Sequence, residues 1–211
     1  SRPARAADVK GFVAADRLAI GPWYVQPDSL LPSGEAHIRN LLEGRLVCEG
    51  NGGTSRVAYT PDSFGHPAWF PSLFRGFGLA AFVYWRGHGI ERDKLPARWT
   101  WRAPDGSEIL AWHLEGSYLA AATLEAETDP AADRLLHLAA ALAVRSPGSV
   151  LLMNGVDHSV PDPHTGAVAT ALAERTGWDV RRSTLDVAVE CQPLPDAVWE
   201  GPLTGARDAN L

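Results

Sequence analysis

An α/β fold built on a parallel sheet is predicted for this chain, and three observations predict it. Apolar runs of strand length ("SRVAYT", "LAAFVYW", "SVLLMNG") alternate with amphipathic runs of helix length ("GEAHIRNLLEG", "TDPAADRLLHLAAALAVRSPG", "GAVATALAERTG"). Asp, Arg and Gly stand directly after the apolar runs, which is where chemistry collects in such folds. With 211 residues and 45% hydrophobic content, the chain has ample material for a buried core in one large domain or a tight pair.

Each element follows in order. "DRLAIGPWYVQPDS" alternates as a strand does and is halted by Pro27, with Asp28 just beyond. "PSGEAHIRNLLEG" reads as a short helix with Ser33 as cap, Ile38, Leu41 and Leu42 on one face and Gly44 as the stop. "SRVAYT" is a second strand and leads straight into Pro61 and Asp62. "HPAWFPSLFRG" is helical, with Pro67 suited to a first turn and Gly76 to an end, and Pro71 awkward if it falls beyond that turn. "LAAFVYW" is a near-continuous apolar strand ending at Arg86. In "RWTWRAPDGSEILAWHLEG", alternating aromatics flank the turn signal Asp105-Gly106, which predicts an inserted antiparallel hairpin. The next helix has Asp129 as cap and Pro130 at its first position. "SVLLMNGVDHS" is a buried strand that breaks at Asn154-Gly155 and delivers Asp157 and His158. "GAVATALAERTG" is a helix, "TLDVAVECQ" a short one, and the tail "LPDAVWEGPLTGARDANL" has no clear period.

Composition excludes several classes of function. Nineteen basic against twenty-five acidic residues give a net charge of -6, with no basic cluster longer than Arg181-Arg182, so no nucleic-acid partner is expected. Cys48 and Cys191 form no CxxC pair and read as buried thiols of a reducing compartment. The apolar stretches at 79–85 and 138–144 are too short to span a bilayer, so no membrane partner is expected and a cytoplasmic location is the default. Eight tryptophans exceed the usual complement, and their faces stack on sugar rings or fill cores.

Four predicted strand ends deliver Asp28, Asp62, Arg86 and Asp157, with Tyr118 just past the hairpin. Each aspartate alone suits a turn or a helix cap. Taken together with a guanidinium and a phenol, they suit glycoside hydrolysis. One carboxylate there attacks the anomeric carbon or activates water, and the other protonates the leaving oxygen.

The segments "LAIGPWYVQPDSLLPSGEAHIRNLLEG", "TPDSFGH", "FPSLFRGFG", "YWRG", "APDGSEILAW" and "LLMNGVDH", in this order, resemble the catalytic region of glycoside hydrolase family 38, the α-mannosidases, and its bacterial branch above the lysosomal and Golgi ones. The resemblance implies a (β/α)7-barrel-like catalytic domain, incomplete here. Residues 1–165 would belong to it, and 166–211 would lead toward a helical middle domain. It also implies hydrolysis of α-mannosidic bonds with retention of configuration, on an α-mannoside or mannose-containing glycan. Asp62 in "PDSFGH" matches the family's nucleophile, which also touches the catalytic zinc. Asp157 in Gly155-Val156-Asp157 matches the general acid/base. Arg86, 24 residues after Asp62, matches an arginine that holds the carboxylate and the sugar with a rigid charged fork. Trp23 and Asp28 match a substrate loop, and Tyr118 a phenol near the reacting centre. Zinc would bind vicinal sugar hydroxyls as a template and electrostatic partner.

The chain also departs from the family pattern. The His-x-Asp motif that supplies zinc ligands is not found, His37 sits within a predicted helix, and Asp62 is the one expected ligand present. Zinc takes about four ligands. The expectation is therefore a partial catalytic domain, weakly active or inactive alone, with exposed barrel edges that a homo-oligomer would cover. Trp69 and Ser72 stand where the family carries glutamines. His66 reads as the cap of a strand-to-helix turn, or as a site-lining group with Phe64. Two further readings are a non-catalytic carbohydrate-binding or interaction domain derived from an α-mannosidase, and a different metal-dependent hydrolase using Asp157, His158 and His164.

Overall fold

Strands β1 (Val57–Thr60), β2 (Ala81–Tyr84), β3 (Arg98–Arg102), β4 (Glu108–His113) and β5 (Val198–Glu200) join in one sheet of order β1-β2-β4-β3-β5. They are seen in a computed structural model that describes residues 5–146, 148–190 and 192–205; Cys191 lies outside the described residues. The helices are α1 (Ala6–Ala14), α2 (Gly34–Glu49), α3 (Phe70–Gly76), α4 (Thr128–Ala143), α5 (Thr165–Thr176) and α6 (Leu185–Val189). The chain divides into two compact units, one of residues 1–113 and 183–211, the other of 114–182.

The first unit holds the whole sheet. β1, β2 and β4 run parallel, β3 turns back antiparallel to β4, and β5 is parallel to β3. The predicted hairpin is present, closed where the Gly106 N–H donates to the Ala103 carbonyl at 2.9 Å. It is not an appendage, because β4 is itself the parallel neighbour of β2. Both faces are buried: Ala58, Phe82, Ala111 and Trp99 share one register row, Val57, Ala81 and Leu110 the next. This explains why the strands read as near-continuous apolar runs.

Phe70 and Phe74 of α3 cover the first face, with Phe74 stacked on Phe82 at 5.5 Å between centroids and Phe82 on Tyr84 at 5.0 Å. Burying one such ring contributes about 2–3 kcal/mol. Trp23, Trp99, Trp101 and Trp112 are buried, so at these four positions core filling accounts for the tryptophans. Pro71 falls in the first turn of α3, where its missing N–H costs nothing.

The second unit pairs α4 with α5. Ala131, Ala132 and Leu135 pack with Val168 and Leu172. Gly177 ends α5 in a left-handed conformation at φ 69°. α4 begins at Thr128 with Glu127 as its cap, two residues earlier than the expected Asp129.

Several expectations fail for physical reasons. The segment 16–29 forms no strand. Its amides are taken by a side chain instead: Asn40 Oδ1 accepts from the Tyr24 N–H at 2.8 Å and the Val25 N–H at 3.1 Å, and Nδ2 donates to the Val25 carbonyl at 2.7 Å. α2 does not stop at Gly44 but runs to Glu49. A Cβ at residue 44 would collide with the Pro22 carbonyl, so this glycine permits close approach of the 22–24 segment. The buried face of α2 is His37, Leu41, Gly44 and Cys48, while Ile38 and Leu42 are exposed. The segment 149–155 forms no ladder; its main chain accepts from Ala121 at the Met153 carbonyl and donates from Gly155 to Tyr118, both within a turn-rich loop. β5 lies in the tail that shows no period, because three residues suffice when β3 supplies the partner.

Candidate active site

Asp62 and Arg86 follow adjacent parallel strands β1 and β2, with one residue between each strand and its charged group. Both the Trp85 N–H, at 3.3 Å, and the Arg86 N–H, at 2.9 Å, donate to the Pro61 carbonyl, which draws the two strand ends together. Arg86 Nε then donates to Asp62 Oδ1 at 2.5 Å, a charge-assisted bond. The Arg86 side chain is largely covered, 14% exposed, and the Asp62 side chain is 57% exposed. The Arg86 guanidinium carbon lies 4.0 Å from the Trp85 ring centroid and 5.4 Å from that of Phe64. Arg86 therefore has a rigid seat, and Asp62 faces water.

The Asp28 loop is fastened to the Asp62 loop. Ser63 Oγ donates to the Pro27 carbonyl at 2.6 Å, and Ser29 Oγ meets His66 Nδ1 at 3.2 Å. Asp28 is exposed between these fixed neighbours, though it follows an irregular segment and not a strand. Trp23 does not present its face to solvent: it is 7% exposed, packs on Phe74 and donates from Nε1 to Thr60 Oγ1 at 3.2 Å. Its place is under the β1 end, as a support for the Asp62 turn.

His66 is fully buried. Burial pushes its imidazole down to about 3, opposed by the bond from Nε2 to the Arg86 carbonyl and reinforced by nearby His88. It is neutral at ordinary pH and neither caps the helix nor touches the surface. His37, inside α2 as expected, donates from Nε2 to the Ser29 carbonyl at 3.1 Å, and burial lowers its pKa.

In the second unit, Tyr118 Oη donates to Asp157 Oδ2 at 2.9 Å and the Tyr118 carbonyl accepts from the Gly155 N–H at 2.9 Å. Asp157 is exposed and follows irregular backbone, not the expected strand. His158 adopts a left-handed φ of 59°. Asp162 receives the Leu124 N–H at 2.8 Å and the His164 N–H at 2.8 Å, which lower its pKa. Its carboxylate thus serves as a loop staple. Among the described residues, no group of three or more His, Cys, Asp or Glu side chains is arranged to hold a metal ion. The described residues therefore do not fit zinc by themselves.

The sequence reading paired Asp62 with Arg86 and named both Asp157 and Tyr118. It missed Ser29 and Ser63 as loop ties, and His66 as a buried strut.

Comparison with known proteins assigns the chain to a class of glycosidase domain. A family model described as "Glycosyl hydrolases family 38 N-terminal domain" matches residues 1–192, and the chain belongs to that family. A Halalkalibacterium halodurans protein named "Putative mannosylglycerate hydrolase" is 32% identical over 173 residues, covering 74% of this chain and 19% of that protein. "Alpha-mannosidase G" of Dictyostelium discoideum is 31% identical over 100 residues, 46% of this chain and 9% of that protein. The crystal structure of an α-mannosidase from Enterococcus faecalis V583 superposes with a TM-score of 0.85 at 27% identity, over 97% of this chain and 24% of that one. The chain thus spans a quarter or less of the length of each of these proteins.

Proposed function

We propose that this chain is the nucleophile-bearing part of a retaining α-mannosidase catalytic domain. The observation that carries the reading is the Arg86–Asp62 bond of 2.5 Å at the ends of two parallel strands, with the carboxylate open to solvent. A guanidinium on one oxygen fixes the direction of the carboxylate and leaves the other oxygen to attack. The family membership and the names of the relatives support the choice of an α-mannoside as substrate.

In this reading Asp62 attacks the anomeric carbon and forms a glycosyl ester, while Asp157, in its protonated form, gives its proton to the departing oxygen. Asp157 then takes a proton from water, whose oxygen attacks the anomeric carbon, and Asp62 is released with configuration retained. Arg86 orients Asp62, Asp28 is a candidate hydroxyl partner, and Tyr118 orients Asp157. The sheet would form one arc of a (β/α)7 barrel, supported by its two parallel junctions through β1, β2 and β4.

The test is hydrolysis of an aryl α-mannoside by the protein and its Asp62→Asn variant, with and without added zinc, combined with trapping by a slow fluorinated mannoside and peptide mass spectrometry. Turnover lost in the variant and a label on the peptide holding Asp62 are expected. A label on another residue, or turnover undiminished in Asp62→Asn, sinks the assignment. Sugar binding without turnover in the parent protein fits both the expected weak activity of a partial domain and the non-catalytic carbohydrate-binding alternative, and turnover gained when the rest of a catalytic domain is supplied tells them apart.

A further inference from the structure

Two buried histidines hold the main chain on which Arg86 sits. His66 Nε2 lies 3.1 Å from the Arg86 carbonyl, and His113 Nε2 lies 2.9 Å from the Trp85 carbonyl. A carbonyl only accepts, so in each ring Nε2 carries the proton and donates. The N–H groups of the same two residues are already held by the Pro61 carbonyl. All four polar main-chain groups of the Trp85-Arg86 dipeptide are thus fixed from the Asp62 loop and from the end of β4.

Both imidazoles are packed between aromatic rings. His66 packs edge-on against Phe82 at 4.8 Å and Tyr84 at 5.4 Å between centroids, with Ser29 Oγ donating to its Nδ1. His113 lies against Tyr84 at 5.2 Å and His88 at 4.1 Å. His66 is 0% and His113 4% exposed, so neither can touch a sugar in solvent. A buried polar group with this much fixed geometry acts on what it holds.

We propose that His66 and His113 are positioning residues that clamp the Trp85-Arg86 main chain, so that the guanidinium stays stacked on Trp85 and bonded to Asp62. The proposal rests on the reading of Asp62 and Arg86 as active-site groups. His66 does this from the Asp62 loop itself, in the same "SFGH" turn, so that nucleophile and arginine share one support. The Trp85 end is held from β4, two strands away from β1 in the sheet order.

Asparagine at 66 or 113 is too short to reach the carbonyl that Nε2 holds, whereas the amide of glutamine extends to about that position. His66→Asn and His113→Asn are each expected to lower kcat roughly tenfold with little change in KM, and the glutamine variants to recover most of the loss. Arg86→Lys removes the fork while keeping the charge. If the histidines act through Arg86, their asparagine changes have little further effect on kcat in that background, whereas additive losses overturn the clamp. An unchanged kcat in Arg86→Lys alone removes the premise, a failure of the active-site reading distinguishable from failure of the clamp. A readout free of turnover is solvent exchange of the Arg86 Nε proton by NMR. Protection is expected to fall in the asparagine variants and persist in the glutamine ones, and unaltered protection in His66→Asn and His113→Asn overturns the proposal.

Discussion

The two carboxylates proposed for catalysis are held in contrasting ways. Asp62 projects from the turn after β1, behind which stand Phe70, Phe82 and Tyr84, all buried, and its arginine partner is pinned by main-chain and side-chain bonds on every side. Asp157 sits on an exposed loop after a segment with no ladder, and its described supports are the Tyr118 hydroxyl and the turn closed by Gly155. The contrast matches the proposed roles. A nucleophile must meet one atom along one direction, so its position has to be built into the fold. A proton donor has only to be within hydrogen-bond reach of the leaving oxygen, which a lighter support can provide.

The largest expected effect tests how far the first region depends on close backbone packing. Gly87 has φ 89°, and a Cβ there would collide with the Gly65 amide and lie 2.7 Å from the Ser63 carbonyl. Neither obstacle is a flexible side-chain tip, so the Asp62 and Arg86 loops would have to separate. Gly87→Ala should cost about 3–5 kcal/mol and abolish turnover. Urea unfolding checks it, and a loss below about 1 kcal/mol would show that the two strand ends are less tightly fitted than the geometry implies.

Acid should affect the two regions in different pH windows. In the first, His66 has its pKa lowered to about 3 by burial. Below the ordinary value of 6.5 the unfolded chain binds a proton that the folded one refuses, so stability is full above that value and falls as pH drops toward 3. The slope approaches about 1.4 kcal/mol per pH unit. In the second, the Leu124 and His164 amides lower Asp162 from an ordinary 3.8. Its contribution is present above that value and is lost only as pH falls through the lower folded one. Hydrogen exchange between pH 6 and 4 should therefore show the sheet weakening by this route while the α4–α5 pair keeps its Asp162 staple, and His66→Gln should flatten the first trend. An unchanged slope in that variant would mean that another group takes up the proton.

What was legible in the sequence followed the same division. Asp62 and Arg86 could be found because β1 and β2 are buried on both faces and read as unbroken apolar runs with a charge just beyond. The hairpin announced itself through Asp105-Gly106. The extent of α2 was hidden because Gly44 answers to the Pro22 carbonyl, a contact made across the chain. Strand character at 149–155 depends on a neighbour to bond with, and hydrophobicity alone does not report one. His66 and His113 were the hardest to see, since they serve main-chain carbonyls, which every residue carries and no pattern marks.

The smallest expected effect lies at Tyr118 and bears on whether light support is enough for Asp157. Tyr118→Phe removes the hydroxyl that donates to Asp157 Oδ2. Because the carboxylate is exposed, water replaces the bond, and stability should change by less than about 1 kcal/mol. Activity should respond according to the leaving group. A nitrophenolate departs with little help from an acid, so its turnover should drop no more than about twofold. An alkyl alcohol needs the proton, and its turnover should drop roughly fivefold to tenfold as Asp157 loses its orientation. Equal losses on both substrates would place Tyr118 elsewhere in the mechanism, since a group that acts through the proton donor must matter most where the proton is needed.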